Sequence, residues 1–342
     1  MGTTVNRHSG IDSMRTLAIL IMLVANTLPY SESAVPPDWL RLLCSLAAPL
    51  FIFLSGYSVH LSKVRLGWAA YIPAIAVLLA AIFVDVVAWR IVPLLEFDVL
   101  YLISVGLFVN TTLRNSPRAT AAMTVMLLLL APFTAAQFPF RFEMDELPLF
   151  TSSANISSWL SMNPLLRFLL DGWFPLLPWL AFALLGSAFA HYKERILVYR
   201  KSILTAGIVG FVCLAAIQLN GSLPPMRDGY VEIFYPLGYT HVLFSICWIG
   251  ALSLWLIPQS GFSLNGRLSV LGRKSQLVYI THAFYLGWLI EGMYQPNTMA
   301  ELTFAIALLL AVVLVVSSLS EQPRILSITS RLPLLLKRVL GL

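Results

Sequence analysis

Three polar residues in the first apolar stretch of the chain have the spacing of a single helical face. Asp12, Arg15 and Asn26 occur in GIDSMRTLAILIMLVANTLPY. In a helix, Arg15 lies about one turn after Asp12, and Asn26 lies about three turns and ~16 Å beyond Arg15. Charged and amide groups are costly inside a bilayer, so this line of residues predicts a pore, a cofactor site or a catalytic cavity.

A histidine near the end of the chain is the second candidate. His282 occurs in LGRKSQLVYITHAFYLGWLIEGMY, after the basic residue Arg273. In a straight helix it lies roughly 13 Å from Arg273, a depth similar to that expected for Asn26. An imidazole can act as an acid or a base near neutral pH, and Tyr279, one turn earlier, can position it or a ligand. A buried neutral histidine bonded between helices is the alternative interpretation.

Two further segments carry candidates for a cavity or an acceptor site. In DGWFPLLPWLAF, which begins at Asp171, Pro175 and Pro178 interrupt the start of an apolar run. Proline there leaves backbone groups that need partners or water, which predicts a cavity lined by Asp171 and Trp179. Trp179 could equally be an anchor at the membrane interface. His241, in YPLGYTHVLF, faces either an external substrate or the protein core.

Basic residues at the start of the His282 segment suggest a donor site. Arg273 and Lys274 could bind the phosphates of a nucleotide-like donor, together with Asp12 and Arg15 at the same end of a channel. Basic residues at the inner ends of membrane spans are also expected from topology alone. Both interpretations stay open.

The composition excludes an ordinary soluble protein. Apolar residues make up 58% of the chain and charged residues 11%, and the mean hydropathy is +0.82, whereas soluble domains are about 25% charged. We predict an all-α, polytopic transmembrane helical bundle. Cys44, Cys213 and Cys247 fall inside apolar runs with no metal-ligand or disulfide spacing, so no metal site is predicted.

The apolar runs predict about ten membrane spans, at about 20 residues each. They lie near 12–30, 39–61, 68–89, 92–112, 117–137, 173–191, 202–220, 235–257, 273–291 and 300–320. With a cytoplasmic N-terminus, the inner loops hold most of the 22 Lys and Arg residues. The positive-inside rule therefore predicts that both termini are cytoplasmic, and the apolar runs predict a protein that is integral to a membrane.

The loops predict a single domain over 1–342. The long segment 138–172 is expected to be an external loop that contains an interfacial helix, and 321–342 a cytoplasmic tail. The net charge of +6 follows from the inner loops and from anionic lipid headgroups, so the bilayer is the expected partner and no nucleic acid is needed. A homodimer stays an open alternative.

Five segments together resemble a known family. They are IDSMRTLAILIMLVAN, APLFIFLSGYSV, EFDVLYLISVGLFV, DGWFPLLPWLAFALLGSAFAHY and LGRKSQLVYITH. They are similar to bacterial relatives of the heparan-alpha-glucosaminide N-acetyltransferase catalytic domain and, more distantly, to acyltransferase-3 proteins. The resemblance runs from about residue 8 to residue 290. It implies an enzyme of ten or so helices that moves an acyl group from cytoplasmic acyl-CoA, such as acetyl-CoA, to an acceptor on the far side, commonly a sugar.

The chain departs from both patterns at the residue expected to act as acid or base. Acyltransferase-3 proteins carry a catalytic His where this sequence has Asn26. The heparan-type branch has Asn there and a His in the following loop. Here the corresponding region, TLPYSESAVPPDWLRLLCS, contains no His and offers Glu32 and Asp38 instead.

Two classes of function follow. In the first, the protein is a membrane O- or N-acyltransferase: Asn26 holds the acyl carbonyl or the acceptor, and His282 supplies general-base help, with Asp38 as a further candidate. In the second, it is a non-catalytic relative that binds a glycan or lipid, or a small-molecule transporter that uses the same cavity. Acyl incorporation by the purified protein discriminates between them.

Overall fold

The computed structural model describes most of the chain. The described ranges are 9–31, 36–62, 67–94, 97–137, 148–149, 165, 167–221, 223, 231–233, 237–257 and 268–342, with the backbone alone at 131, 132, 134–137 and 171. Glu32 and most of the loop 138–172, including most of its expected interfacial helix, lie outside the described residues.

The described part of the chain is helical, with turns, loop segments and one isolated β-bridge between Ile91 and Pro148, so the all-α class is confirmed. The α-helices are α1 (Ser9–Thr27), α2 (Asp38–Cys44), α3 (Ala47–Leu61), α4 (Ile72–Phe83), α5 (Val99–Thr112), α6 (Pro117–Gln137), α7 (Leu176–Val198), α8 (Arg200–Asn220), α9 (Tyr239–Leu256), α10 (Ser269–Arg273), α11 (Ser275–Phe284), α12 (Glu291–Met293), α13 (Met299–Ser320), α14 (Pro323–Thr329) and α15 (Leu334–Val339). Short 3-10 segments lie at Leu28–Tyr30 and Trp68–Tyr71, and π-helical segments at Val84–Trp89, Arg167–Asp171 and Tyr285–Ile290.

Several of these helices can cross a bilayer. In the described part of the chain, six helical stretches are long and apolar enough, namely Ser9–Tyr30, Asp38–Leu61, Trp68–Trp89, Arg200–Asn220, Tyr239–Leu256 and Met299–Ser320. The protein is therefore an integral membrane protein. Helices also lie within the other four predicted spans, but the count of ten and the cytoplasmic termini stay predictions.

The helix that carries the polar stripe is central in the bundle. α1 packs against α2, α3, α9, α10, α11 and α13, and more than half of its residues are buried. α8 is the opposite case, because none of its residues is buried inside the protein. Asp12, Arg15 and Asn26 therefore belong to the interior of the bundle rather than to its lipid-facing surface.

A close backbone contact brings α10 against the first turns of α1. A Cβ on Gly272 would lie 2.0 Å from the carbonyl oxygen of Asp12, so only glycine allows this approach. The backbone N–H of Gly272 donates to the hydroxyl of Thr16 (3.1 Å). As a result, Arg273 lies at the same end of the bundle as Arg15.

Two π-helical segments contact each other beside the centre of the bundle. The first segment, Val84–Trp89, ends at Arg90, whose backbone is left-handed. The Arg90 guanidinium donates to the carbonyl of Gly287 (2.9 Å) and lies over the ring of Trp288. The indole N–H of Trp288 donates in return to the carbonyl of Val87 (2.8 Å). Segments of π-helix often occur at functional sites, and these two contribute Asp85, Trp89 and Leu286 to the cavity described below.

The expected cytoplasmic tail is not detached from the bundle. It forms α14 and α15, and α15 packs against α4. The side-chain amide of Gln276 donates to the carbonyl of Val339 (2.9 Å), and Val339 is buried. The end of the chain therefore forms part of the wall around the start of α11.

The tightest helix pair is α3 against α7, and it depends on two glycines. A Cβ on Gly56 would lie 1.8 Å from the carbonyl oxygen of Ala183, and one on Gly186 would lie 1.9 Å from that of Phe53. Small residues let helix backbones approach closely in membranes, where packing rather than hydrophobicity drives association. The pair forms much of the largest apolar cluster of the core.

Replacing Gly186 by alanine is expected to disrupt this pair, because the added methyl group overlaps backbone that cannot move alone. The cost should be at least about 3 kcal/mol, seen as a melting temperature lower by roughly 5–10 °C or as loss of the monodisperse peak in detergent. Gly250→Ala on α9 is the matched control, since a Cβ there meets nothing within 4 Å. Equal melting temperatures for the two variants would contradict the packing argument.

Candidate functional site

A cavity of about 760 Å³ runs through the middle of the bundle. Its walls come from α1, α3, α4, α5 and α11 with the π-helical segments that follow α4 and α11. Between Ser275 and Glu291, both of which line it, the chain rises roughly 24 Å, compared with about 30 Å for the hydrocarbon core of a bilayer. The residues that line the cavity therefore extend over a length comparable to most of that thickness.

Basic and acidic side chains line different parts of this cavity. Four basic side chains line the end where α11 begins: Arg15, Arg273, Lys274 and Arg338. The acidic residues that line the middle and the opposite end are Asp85, Asp98, Glu232 and Glu291. Such an arrangement attracts an anionic ligand to one end and repels it from the other.

The basic end is held in place by ion pairs. Arg15 contacts the carboxylate of Asp12 (3.0 Å) and the hydroxyl of Ser58 (2.5 Å). Arg273 makes a two-pronged contact with the carboxylate of Glu321, at 2.9 and 2.7 Å. Asp12 therefore positions Arg15 without lining the cavity itself, whereas Arg15, Arg273 and Lys274 all line it.

A chain of polar contacts crosses the middle of the cavity. The Asn26 amide nitrogen lies 3.0 Å from Nε2 of His282, and Nδ1 of His282 lies 2.5 Å from the carbonyl oxygen of Tyr279. The hydroxyl of Tyr279 donates to Asp98, which also caps α5 by accepting from the N–H of Val99 (2.6 Å). Asn26, His282 and Tyr279 thus lie together, as their similar predicted depths imply.

The tautomer of His282 follows from these partners. A carbonyl oxygen only accepts, so Nδ1 of the ring must carry the proton toward Tyr279. In the neutral ring Nε2 is then an acceptor, and the Asn26 amide donates to it. The histidine is 1% exposed. In this arrangement the lone pair that a general base needs is occupied by Asn26, and the ring fixes the direction of the Asn26 amide.

The sequence places this chain in a known family. The family model for the catalytic domain of heparan-alpha-glucosaminide N-acetyltransferase matches residues 7–219. The chain belongs to this family. A comparison with curated proteins gives no match. Membership in the heparan-alpha-glucosaminide N-acetyltransferase family indicates a membrane acyltransferase.

The family match covers the walls of the cavity that come from α1, α3, α4 and α5, but not the wall that comes from α11. Arg15 and Asn26 lie inside the matched range, whereas Glu232, Tyr279 and His282 lie after it. The region where the heparan-type acetyltransferase pattern carries its histidine contains Asp38. This carboxylate is 61% exposed, lies 3.9 Å from Arg41 and does not line the cavity.

Of three other residues predicted from the sequence, Trp179 and His241 do not line the cavity, and the side chain of Asp171 is not described. Trp179 is buried in the core, where its ring contacts Phe174 and Phe182. His241 is buried with Nε2 at 3.3 Å from the Ser245 hydroxyl. The side chain of Asp171 is not among those described. The neighbouring Trp173 does line the cavity.

Sequence reasoning missed Glu232. It is 6% exposed and lines the cavity, although its loop has no periodicity that would predict burial. Burial raises the pKa of the Glu232 carboxyl to about 7, although hydrogen bonds from the backbone of Glu232 and Val231 and the charge of Arg41 act in the opposite direction. Arg338 was also missed; the pair of basic residues at the end of the chain was its only sequence signal.

The size and charge of the cavity suit a small-molecule ligand that carries anionic groups. Its volume lies within the range of about 300–1,000 Å³ for small-molecule sites, and its basic end offers guanidinium and ammonium groups to phosphates. Among the described residues, no three His, Cys, Asp or Glu side chains are grouped as metal ligands. The absence of a metal from the chemistry stays a prediction.

Proposed function

We propose that the protein transfers an acyl group from acyl-CoA, with acetyl-CoA as the first candidate, to a sugar or glycan on the other side of the membrane. The observation that carries this proposal is the single cavity that joins the basic end, at Arg15 and Lys274, to Asn26 and His282. Family membership supplies the reaction class.

The donor enters at the basic end. The phosphates of CoA pair with the cationic side chains there, and the long uncharged pantetheine arm that carries the thioester extends along the cavity toward Asn26. Lining residues such as Leu54, Val77 and Leu107 are apolar and suit that arm. Bound acyl-CoA supplies an activated thioester carbonyl.

Asn26 then acts on that carbonyl. As an acceptor attacks, negative charge develops on the carbonyl oxygen, and a fixed N–H donor stabilises it. The Asn26 amide has two N–H bonds; one is directed at Nε2 of His282, and the other is available for the oxygen. His282 is thus a positioning residue for Asn26, and Tyr279 in turn positions His282.

The membrane orientation belongs to the same proposal. Both termini and the basic end of the cavity face the cytoplasm, where acyl-CoA is made, in a protein of about ten spans in a bacterial inner membrane. The excess of Lys and Arg in the corresponding loops supports this orientation. The acidic end then opens toward the sugar or glycan outside.

A transporter is the second candidate. The observation that favours it is the length of the cavity, which extends over much of the membrane thickness. Radiolabelled sugar uptake into proteoliposomes without any acyl donor would support transport. Acyl transfer to the sugar, dependent on acyl-CoA, would support the enzyme.

The first test is acyl incorporation by the purified protein. Proteoliposomes are incubated with radiolabelled acetyl-CoA and a panel of sugars that includes glucosamine and N-acetylglucosamine, and labelled products are separated by chromatography. We expect label in at least one sugar. Binding of acetyl-CoA without hydrolysis or transfer to any acceptor would instead favour a non-catalytic relative.

Replacing Arg338 by glutamine tests the donor end. The variant is expected to raise the KM for acetyl-CoA about 5- to 10-fold, since one partly exposed contact to phosphate contributes about 1–1.4 kcal/mol. The kcat should stay within twofold, and activity with S-acetylpantetheine, which lacks the nucleotide, should not change. Lys337→Gln is the matched control, because Lys337 bonds to the carbonyl of Ser330 and does not line the cavity. An equal KM in both variants would contradict this donor site.

A further inference from the structure

The position of Glu232 is fixed from both sides. The backbone carbonyl of Val231 accepts from Nε of Arg41 (2.9 Å), and the N–H of Ile233 donates to the hydroxyl of Ser45 (2.8 Å). The side chains of Val231 and Ile233 are buried in two separate apolar clusters. Glu232 lies between them and lines the cavity, so the chain is anchored to α2 at the point where this carboxylate enters the site.

One oxygen of this carboxylate has no partner. Oε2 of Glu232 is buried and makes no hydrogen bond within the part of the chain that the structure describes. Buried polar atoms are nearly always hydrogen-bonded, and a buried charge without a partner is costly. A cavity-lining carboxylate that keeps an acceptor oxygen free is therefore suited to a ligand that brings a donor.

The surroundings of Glu232 indicate what kind of donor. Val231 shares an apolar cluster with Ala25, the neighbour of Asn26, so the carboxylate and the amide lie at the same end of α1. The same cavity is lined by Tyr30, Trp89 and Trp173, whose rings offer flat apolar faces with polar edges. Aromatic faces and a carboxylate in one cavity suit a sugar that presents a hydroxyl or amino group.

We propose that Glu232 binds the attacking hydroxyl or amino group of the sugar acceptor and takes its proton during acyl transfer. This inference rests on the proposed function. The acceptor oxygen or nitrogen forms a bond to the acyl carbon, and the carbon–sulfur bond of the thioester breaks. The acceptor proton passes to Glu232 and then to water, while the CoA thiolate takes a proton from water, so protons and electrons balance. Glu232 would thus supply the base that His282 does not provide, because the free ring nitrogen of His282 accepts from Asn26.

The pH dependence of the reaction follows from the environment of this carboxylate. Because burial raises the pKa of Glu232 to about 7, only its ionised form, above that pH, can accept a proton. The rate should therefore fall as pH decreases through about 7. The other charged or titratable groups on the surrounding elements include Asp38, Arg41 and Cys44 on α2, and Tyr30, His241, Glu301, His282 and Glu291 on the others.

The test compares Glu232→Gln with the wild-type protein. The variant keeps the size of the side chain but cannot take a proton, so we expect kcat to fall roughly 100- to 10,000-fold and the inflection near pH 7 to disappear. Its melting temperature at pH 8 should equal or exceed that of the wild type, because ionising a carboxyl whose pKa is raised by burial destabilises the fold as pH rises. Glu301→Gln is the control. The backbone N–H of Glu301 donates to the hydroxyl of the cap residue Thr298 at the start of α13, and glutamine is as suitable as glutamate at this position of a helix cap.

Distinct results would overturn the inference. If the wild type transfers acyl groups and Glu232→Gln retains activity within threefold, Glu232 is not the base although the proposed function stands. Loss of activity in Asp38→Asn alone would assign the role to Asp38. If the wild type transfers nothing, the proposed function fails. Whether Glu232 binds the acceptor is then tested by measuring the Kd for glucosamine from the quenching of tryptophan fluorescence. A Kd at least tenfold weaker in Glu232→Gln supports acceptor binding, and an equal Kd overturns it.

Discussion

Replacing Asn26 by alanine is expected to lower kcat for acyl transfer by roughly 100- to 1,000-fold, the usual effect of removing one donor to a developing oxyanion. The KM for acetyl-CoA should change little, because the basic end that holds the donor is ~16 Å away along α1. Steady-state kinetics with radiolabelled acetyl-CoA and a sugar acceptor measure both quantities.

A second substitution at this position sharpens the test. Asn26→Asp keeps the shape of the side chain but replaces the donor by a carboxylate, so it should be at least as inactive as the alanine variant. Asn220→Ala is the control, since Asn220 bonds to its own helix at the exposed end of α8 (2.8 Å to the Ala216 carbonyl). An Asn26→Asp variant with near wild-type kcat would exclude the amide as an oxyanion donor.

Replacing His282 by alanine is expected to lower kcat roughly 100-fold, because a small misplacement of a catalytic group has an effect of this size. The variant leaves the Asn26 amide without the acceptor that fixes its direction. Glutamine offers a carbonyl oxygen in a similar place, so His282→Gln should recover activity to within about tenfold of the wild type.

The two His282 variants also separate positioning from base catalysis. If His282 only positions Asn26, both variants should keep the wild-type pH profile of kcat. If it is the general base, as the sequence alone suggests, alanine and glutamine should be equally inactive and the profile should change. Rates measured from pH 5.5 to pH 9 distinguish the two roles.

Several residues that line the cavity can be predicted from the sequence, because helical periodicity shows which residues share a face of a helix. Arg15 and Asn26 repeat at whole turns, so they share a face of α1 whatever packs against it. His282 and Tyr279 lie one turn apart, and their distance from the basic residues predicts a depth close to that of Asn26. The contact between Asn26 and His282 follows once α1 and α11 pack against each other.

Other features depend on contacts that local pattern does not encode. Trp179 and His241 lie in helices that are apolar over most of their surface, so the sequence does not say which face meets the cavity. Glu232 lies in a loop, where burial depends on distant partners such as Arg41 and Ser45. Arg338 reaches the cavity only because the end of the chain folds back onto the bundle.

The boundaries of the fourth predicted span illustrate the same limit. The apolar run suggests a helix from residue 92, whereas α5 begins at Val99. Arg90 and Leu94 adopt left-handed conformations, which interrupt a helix, and the Asp98 carboxylate caps the first turn of α5. The later start of α5 matters for the site, because it places Asp98 next to the hydroxyl of Tyr279.

The most direct test of the central claim, that one cavity joins a donor on one face to an acceptor on the other, is a sided assay in inside-out bacterial membrane vesicles. Radiolabelled acetyl-CoA is added outside the vesicles, which exposes it to the cytoplasmic face, and the sugar acceptor is loaded inside. We predict labelled sugar in the lumen, at a rate that falls with Asn26→Ala. Transfer only to sugar added on the same face as acetyl-CoA would contradict the account.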